Sequence, residues 1–180
     1  MVVSQTGFKG LVVLEPKVHG DSRGYFMESY NKQTFSNSGI DINFVQDNQS
    51  RSSKGVLRGL HFQRAPYAQT KLLRVLSGTV LDVVVDLRRS EPTFGKHFSV
   101  ELSSENKKQI LVPKGFAHGF VVLSDFAEVL YKCDEFYRPE ADAGIYYKSV
   151  DIDWKLPQDQ LILSDKDKNL PTMENAKFEF

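Results

Sequence analysis

The chain is 180 residues long, 41% hydrophobic and 12% aromatic, which is enough for a sizeable core and excludes a disordered chain. Lysine plus arginine equals aspartate plus glutamate at 23 each, so there is no basic excess to hold a nucleic acid or a membrane surface, although a few local arginines can still meet a small anion. Cys133 is the only cysteine, which excludes an intrachain disulfide and a cysteine-based zinc site.

In chain order, "GLVVLEPKVHG" (10–20) reads as one strand broken by proline, and "MESYNKQTFSNSGI" (27–40) as a segment holding one short helix. "INFVQDNQS" (42–50) is extended, and "TKLLRVLSGTVLDVVVDLR" (70–88) reads as a hairpin about Ser77-Gly78. "HFSVELS" (97–103), "QILVPKG" (109–115), "AHGFVVLS" (117–124) and "AEVLYKCDEFY" (127–137) follow with short turns. Many short strands at regular spacing predict an all-β sandwich or barrel. Nothing splits the chain, so one domain over 1–180 is expected, with a polar C-terminal extension from about residue 155 that carries a short helix. Strand alternation puts Leu81, Val83, Val85 and Leu87 on one face and Val80, Asp82, Val84 and Asp86 on the other. An interior that carries charge needs partners, which points to an enclosed ligand. The N-terminus has no secretory pattern, and no apolar run approaches the ~20 residues needed to cross a bilayer. The expected compartment is the cytoplasm.

"GVLRGLHFQ" (55–63) sets Arg58 and His61 three apart within a strand-like run, and "VPKGFAHGF" (112–120) holds a Pro-x-Gly-x-x-His spacing around His118. Both resemble cupin motifs, which implies a double-sheet jelly roll with short peripheral helices. In the first cupin motif two histidines and a glutamate bind metal, but here Gln63 stands where the second histidine would be and no glutamate follows. That leaves His61 and His118, fewer ligands than a catalytic metal site takes, so no metal is expected.

Several segments together resemble the dTDP-4-dehydrorhamnose 3,5-epimerase family: "DSRGYFMESY" (21–30), "VQDNQS" (45–50), "LRGLHFQ" (57–63), "SEPTFGK" (90–96), "LVPKGFAHGFVVLS" (111–124), "LYK" (130–132), "IDW" (152–154) and "LSDKD" (163–167). They run in order through nearly the whole chain. The resemblance implies an isomerase that inverts C3 and C5 of dTDP-4-keto-6-deoxy-D-glucose without any cofactor, in dTDP-L-rhamnose biosynthesis. It implies that His61 is the general base paired with Asp167, and that Tyr131 is the general acid on the other face of the sugar. Lys71 and His118 fall near the keto oxygen and hydroxyls, with Asp82 a partner for His118. Arg23, Glu28, Gln46, Asn48, Arg58 and Lys166 fall to the nucleotide diphosphate, some reaching across a homodimer interface, and Tyr137 to stacking on thymine. Three positions depart from the family pattern: Thr70 replaces a glycine, Tyr147 a tryptophan, and Asp142 a substrate-binding glutamate one carbon longer.

The residue types suit that chemistry on their own terms. Carbons 3 and 5 flank a ketone, so loss of either proton gives an enolate. Histidine is the side chain whose ordinary pKa suits the base, and a carboxylate on its other nitrogen fixes the tautomer. A lysine meets the enolate oxygen, and a tyrosine returns a proton. Asp165 stands close enough to Asp167 to be confused with it, and His19 and His97 read as turn residues. Two alternatives stay open: a relative that inverts a single carbon, and a non-catalytic cupin module that binds a sugar.

Overall fold

A computed structural model describes residues 1–180. Thirteen strands and two short helices follow one another as β1 (Val2–Gln5), β2 (Val12–Glu15), β3 (Val18–Asp21), β4 (Gly24–Met27), α1 (Lys32–Asn37), β5 (Gln46–Ser53), β6 (Leu57–Gln63), β7 (Lys71–Ser77), β8 (Thr79–Asp86), β9 (His97–Ser103), β10 (Gln109–Val112), β11 (Phe116–Val122), β12 (Phe126–Cys133), β13 (Asp142–Gly144) and α2 (Asp165–Lys168). A six-stranded sheet runs β1-β2-β10-β7-β12-β5 and a five-stranded sheet β13-β6-β11-β8-β9, while β3 and β4 form a separate hairpin. Every pairing between these strands is antiparallel.

The two sheets face each other across a core of Leu73, Val75, Val80, Val84, Phe120 and Val129, among others. The opposite face of β8 turns Leu81, Val83 and Val85 toward Ile145, Trp154 and Phe178, so the C-terminal segment covers that sheet. A third cluster seats Phe35 of α1 on Val12, Leu14, Leu72 and Leu111, the outer face of the six-stranded sheet. With apolar side chains on both faces, β8 needs cover on both sides, and a central position in the second layer provides it.

That requirement overturns the hairpin expected about Ser77-Gly78. β7 pairs with β10 and β12, and β8 pairs with β11 and β9, so the two strands lie in different sheets. Gly78 is the corner between them. Its φ is +78°, and a Cβ there would come within 2.1 Å of the Phe126 carbonyl oxygen. The 10–20 segment likewise divides at Pro16, with β2 entering the six-stranded sheet and β3 leaving it for the hairpin. Beyond residue 155 the extension does carry a short helix, α2, but it also buries Asp167 and Phe178.

Candidate active site

In an unbroken strand, residues three apart point to opposite faces. Arg58 and His61 nevertheless share one. His61 pairs with His118 and Arg58 with Phe120, so three steps along β6 match two along β11. The extra residue makes a bulge at Gly59-Leu60 that turns both side chains inward. Glycine is required on each side of it. Gly59 has φ +139°, and a Cβ there would come within 2.7 Å of the Gly119 Cα. On Gly119 a Cβ would come within 2.5 Å of the Arg58 carbonyl oxygen.

The inward face opens on a cavity of about 500 Å3 between the sheets. Arg58, His61 and His118 line one wall, Lys71 and Tyr131 the other, and Lys166 and Asp167 of α2 close the side. His61 Nε2 lies 2.7 Å from Asp167 Oδ1. The second carboxylate oxygen of Asp167 accepts the Gly59 N–H at 3.3 Å, and Ser164 caps α2 by accepting the Asp167 N–H at 3.1 Å. Burial alone would raise the Asp167 pKa. The His61 hydrogen bond and charge, the Gly59 N–H and Lys166 outweigh it and hold the carboxyl below the ordinary aspartate value. An ionised carboxylate facing Nε2 selects the Nε2–H tautomer, which leaves the lone pair on Nδ1 as the basic atom.

A second imidazole–carboxylate pair stands beside the first. His118 Nε2 lies 2.8 Å from Asp82 Oδ2, and Asp82 is fully buried with its Oδ1 unpartnered. On the opposite wall, desolvation pushes the Lys71 ammonium below its ordinary pKa, partly offset by Cys133, Asp82 and Asp142. Desolvation also raises the Tyr131 phenol, helped by Cys133 and opposed by Arg58. A tyrosine raised in this way keeps its proton, and a lysine lowered in this way is a cation held at a cost that an arriving anion repays. Arg58 is steadied by donating from Nε to Ser52 Oγ at 3.0 Å.

The remaining expected site residues fall in two groups. Gln46, Asn48, Tyr137 and Asp142 sit outside the cavity lining, at its rim, where Asp142 Oδ2 accepts from Lys166 and, at 3.3 Å, from the Tyr137 hydroxyl. Arg23 and Glu28 do not reach the cavity of their own chain. Arg23 is paired with Asp21 at 2.6 Å on the exposed hairpin, and Glu28 accepts from Asn31 at 2.9 Å. Nowhere do three or more His, Cys, Asp or Glu side chains gather as a metal ion would require. Gln63 instead pins a loop: its amide donates to the Tyr67 and Phe136 carbonyls and accepts the Arg138 N–H at 2.7 Å.

Two supporting residues were absent from the sequence reading, and a third, Gln63, was seen there only as a missing metal ligand. Ser164 had a signal, since serine three residues before an acidic one marks a helix N-cap. Ser52 shares the alternate face of β5 with Gln46 and Asn48, which period two would have exposed. For Gln63 as a loop pin no local pattern exists.

The model of the dTDP-4-dehydrorhamnose 3,5-epimerase family matches residues 5–175. A dTDP-4-dehydrorhamnose 3,5-epimerase from Shigella flexneri is 53% identical over 172 residues, covering 94% of each chain. The crystal structure of dTDP-4-dehydrorhamnose 3,5-epimerase from Elizabethkingia anophelis NUHP1 superposes with a TM-score of 0.92 at 49% identity, covering 97% of each chain. The dTDP-6-deoxy-D-glucose-3,5-epimerase of Legionella pneumophila Philadelphia 1, solved in complex with dTDP-4-keto-L-rhamnose, gives a TM-score of 0.92 at 47% identity, covering 97% of this chain and 93% of that one. With its two antiparallel sheets in the cupin-type arrangement and a match that runs almost end to end, the chain belongs to the dTDP-4-dehydrorhamnose 3,5-epimerase family.

Proposed function

We propose that the chain converts dTDP-4-keto-6-deoxy-D-glucose to dTDP-4-keto-L-rhamnose by proton transfer at the carbons beside the C4 ketone. The observation that carries the mechanism is the His61–Asp167 pair on one wall of a cavity and Tyr131 on the other. In the D-gluco chair the hydrogens at C3 and C5 are both axial on one face of the ring. A single base on that side therefore serves both carbons, and a proton returned from the opposite side inverts each. His61 Nδ1 takes the proton, and Asp167 stabilises the imidazolium that forms. Lys71, with His118 facing it from the other wall, meets the charge that develops on the C4 oxygen, a contact whose loss typically costs about 3 kcal/mol in the transition state. Tyr131 returns the proton. Proton transfer suffices for the whole reaction, so it calls for no cofactor.

Arg58 and Lys166 hold the diphosphate, and Gln46, Asn48 and Tyr137 form the nucleotide seat at the rim, with Asp142 bonded to Lys166 and Tyr137. Arg23 and Glu28 serve the cavity of a second copy in a homodimer. The exposed β3–β4 hairpin supports this, since Tyr25 and Phe26 on it are 57% and 68% exposed and lack cover in the single chain. No helix is long and apolar enough to cross a membrane, and we place the reaction in the cytoplasm.

The test is incubation with dTDP-4-keto-6-deoxyglucose in deuterated water, followed by NMR at C3 and C5. Deuterium at both carbons with inversion of both is expected. Exchange and inversion at one carbon alone would make the chain a single-carbon epimerase, and binding without exchange would make it a sugar-binding module.

A further inference from the structure

The rim residues are joined in one hydrogen-bonded strap that crosses between the two sheets at the mouth of the cavity. It starts at Lys166 of α2, whose ammonium donates to Asp142 Oδ2. The Tyr137 hydroxyl donates to the same oxygen at 3.3 Å. The Tyr137 N–H then donates to Gln46 Oε1 at 3.0 Å, and the Gln46 amide donates to Asn48 Oδ1 at 3.0 Å. Asn48 ends the strap against Cys133 Sγ at 3.6 Å. β13 and α2 flank the five-stranded sheet, whereas Gln46, Asn48 and Cys133 belong to the six-stranded one.

We propose that Asp142 is a positioning residue, the joint of this strap, which sets Lys166 and Tyr137 for the nucleotide without itself touching the nucleotide. The role rests on the epimerase reading, which gives Lys166 to the diphosphate and Tyr137 to the base. Three observations lead to it. First, one carboxylate oxygen of Asp142 is already shared by two donors, and both belong to the nucleotide seat. Second, Asp142 is outside the cavity lining while Lys166 is within it, so the carboxylate works from behind. A carboxylate facing a diphosphate directly would repel it, whereas one behind a lysine orients that lysine. Third, the backbone of Asp142 is fixed independently: β13 pairs with β6, Asp142 opposite Gln63 and Gly144 opposite His61.

Lys166 is about half exposed and rotamer-rich, so without a partner it would have to be ordered when the nucleotide arrives. Burial works to lower its pKa, but the Asp142 hydrogen bond and charge, with Tyr137 and Asp167 adding, leave it raised and the ammonium fully charged at neutral pH.

The experiment is a double-substitution cycle on dTDP affinity, measured by calorimetry, with steady-state kinetics alongside. Asp142→Asn keeps the shape and removes the charge. It is expected to weaken dTDP binding about tenfold and to raise KM in step, with kcat within about twofold. Tyr137→Phe removes only the hydroxyl and is expected to cost less. In the double variant the losses should not add, because the hydroxyl acts through the carboxylate. Lys166→Gln in the Asp142→Asn background should likewise add little. Unchanged dTDP affinity in Asp142→Asn, fully additive losses, or a fall in kcat with KM unmoved would each overturn the role. A native chain that binds no dTDP would overturn the epimerase reading and this role with it, whereas native binding with unaffected variants overturns this role alone. Tyr137→Phe and Lys166→Gln alter half-exposed side chains, so the cycle between them remains readable if Asp142→Asn folds poorly.

Discussion

Gly59 and Gly119 face each other across β6 and β11 so closely that a Cβ on the first would come within 2.7 Å of the Cα of the second. The strands meet there without side chains, and the bulge beside the contact is what brings Arg58 and His61 to one face. Gly119→Ala tests this. Its methyl group would press on the Arg58 carbonyl oxygen, so the strands must part. A loss of about 1–3 kcal/mol is expected, read as a thermal midpoint about 3–10 °C lower, with a larger proportional loss of epimerisation than of folded protein. An active variant with an unchanged midpoint would show that the close approach is dispensable.

His61 and Tyr131 stand on opposite walls of the cavity, and the proposed mechanism divides the chemistry between them. His61→Ala should abolish deuterium uptake at both C3 and C5. Tyr131→Phe loses one hydroxyl with almost no change in volume, so the fold survives. Proton abstraction then continues while inversion fails at one carbon or both. NMR in deuterated water reads both outcomes. Two inversions at near-native rate in the Phe variant would make Tyr131 structural, and continued exchange in the Ala variant would remove His61 as the base.

The pocket shifts Lys71 and Tyr131 in opposite directions, the lysine down and the tyrosine up, each chiefly by desolvation. As pH rises, the lysine therefore loses its charge earlier than a free lysine would, and the tyrosine keeps its proton longer than a free tyrosine. The alkaline limb of kcat should follow Lys71 and fall below the ordinary lysine pKa of about 10.4. Lys71→Arg, which stays charged, should move that limb to higher pH, even at a lower kcat. A limb that does not move assigns it elsewhere. On the acid side the sign reverses. The Asp167 carboxyl is lowered in the folded state, so the stability it contributes is complete above about pH 4 and disappears only as pH falls through the lowered value.

Asp82 holds the second imidazole from a fully buried position. Asp82→Asn preserves shape but allows the His118 ring to change tautomer or turn. We expect kcat to fall about tenfold or more, with dTDP affinity unchanged, because the proposed mechanism sets His118 at the ketone and leaves the nucleotide to the rim. A native kcat would show that Asp82 only fills space.

Shared sites in a dimer are tested by mixing. Chains with Arg23→Ala combined with chains with His61→Ala should regain about a quarter of native activity after subunit exchange, since half the dimers would carry one intact site of two. No recovery despite demonstrated exchange would place Arg23 outside the site.

The jelly roll came with the cupin resemblance, while an antiparallel sandwich or barrel could be read from short β-branched runs between turn residues, and one apolar face of β8 from alternation. The switch of sheets at Gly78 could not. A Ser-Gly pair between two apolar runs is also what a hairpin looks like, and the choice depends on what covers β8 from both sides. The His61–Asp167 pair joins residues more than a hundred positions apart, so only the family register could bring it forward. Arg58 and His61 were visible as a pair, but their common orientation depends on a bulge, and period two predicts the opposite. The rim strap was illegible because three of its five bonds join residues distant in sequence.

Gln63 occupies the strand position at which a metal-binding cupin motif would present its second imidazole, and its amide closes three hydrogen bonds, two to the segment that carries Tyr137 and one to the Tyr67 carbonyl. An attempt to convert this scaffold into a metalloenzyme by writing histidine at that position would leave the Phe136 and Tyr67 carbonyls and the Arg138 N–H without their common partner. The aromatic at the mouth would then be free to swing. One side chain at this address in the fold can hold the entrance together or present an imidazole to a metal, but not both.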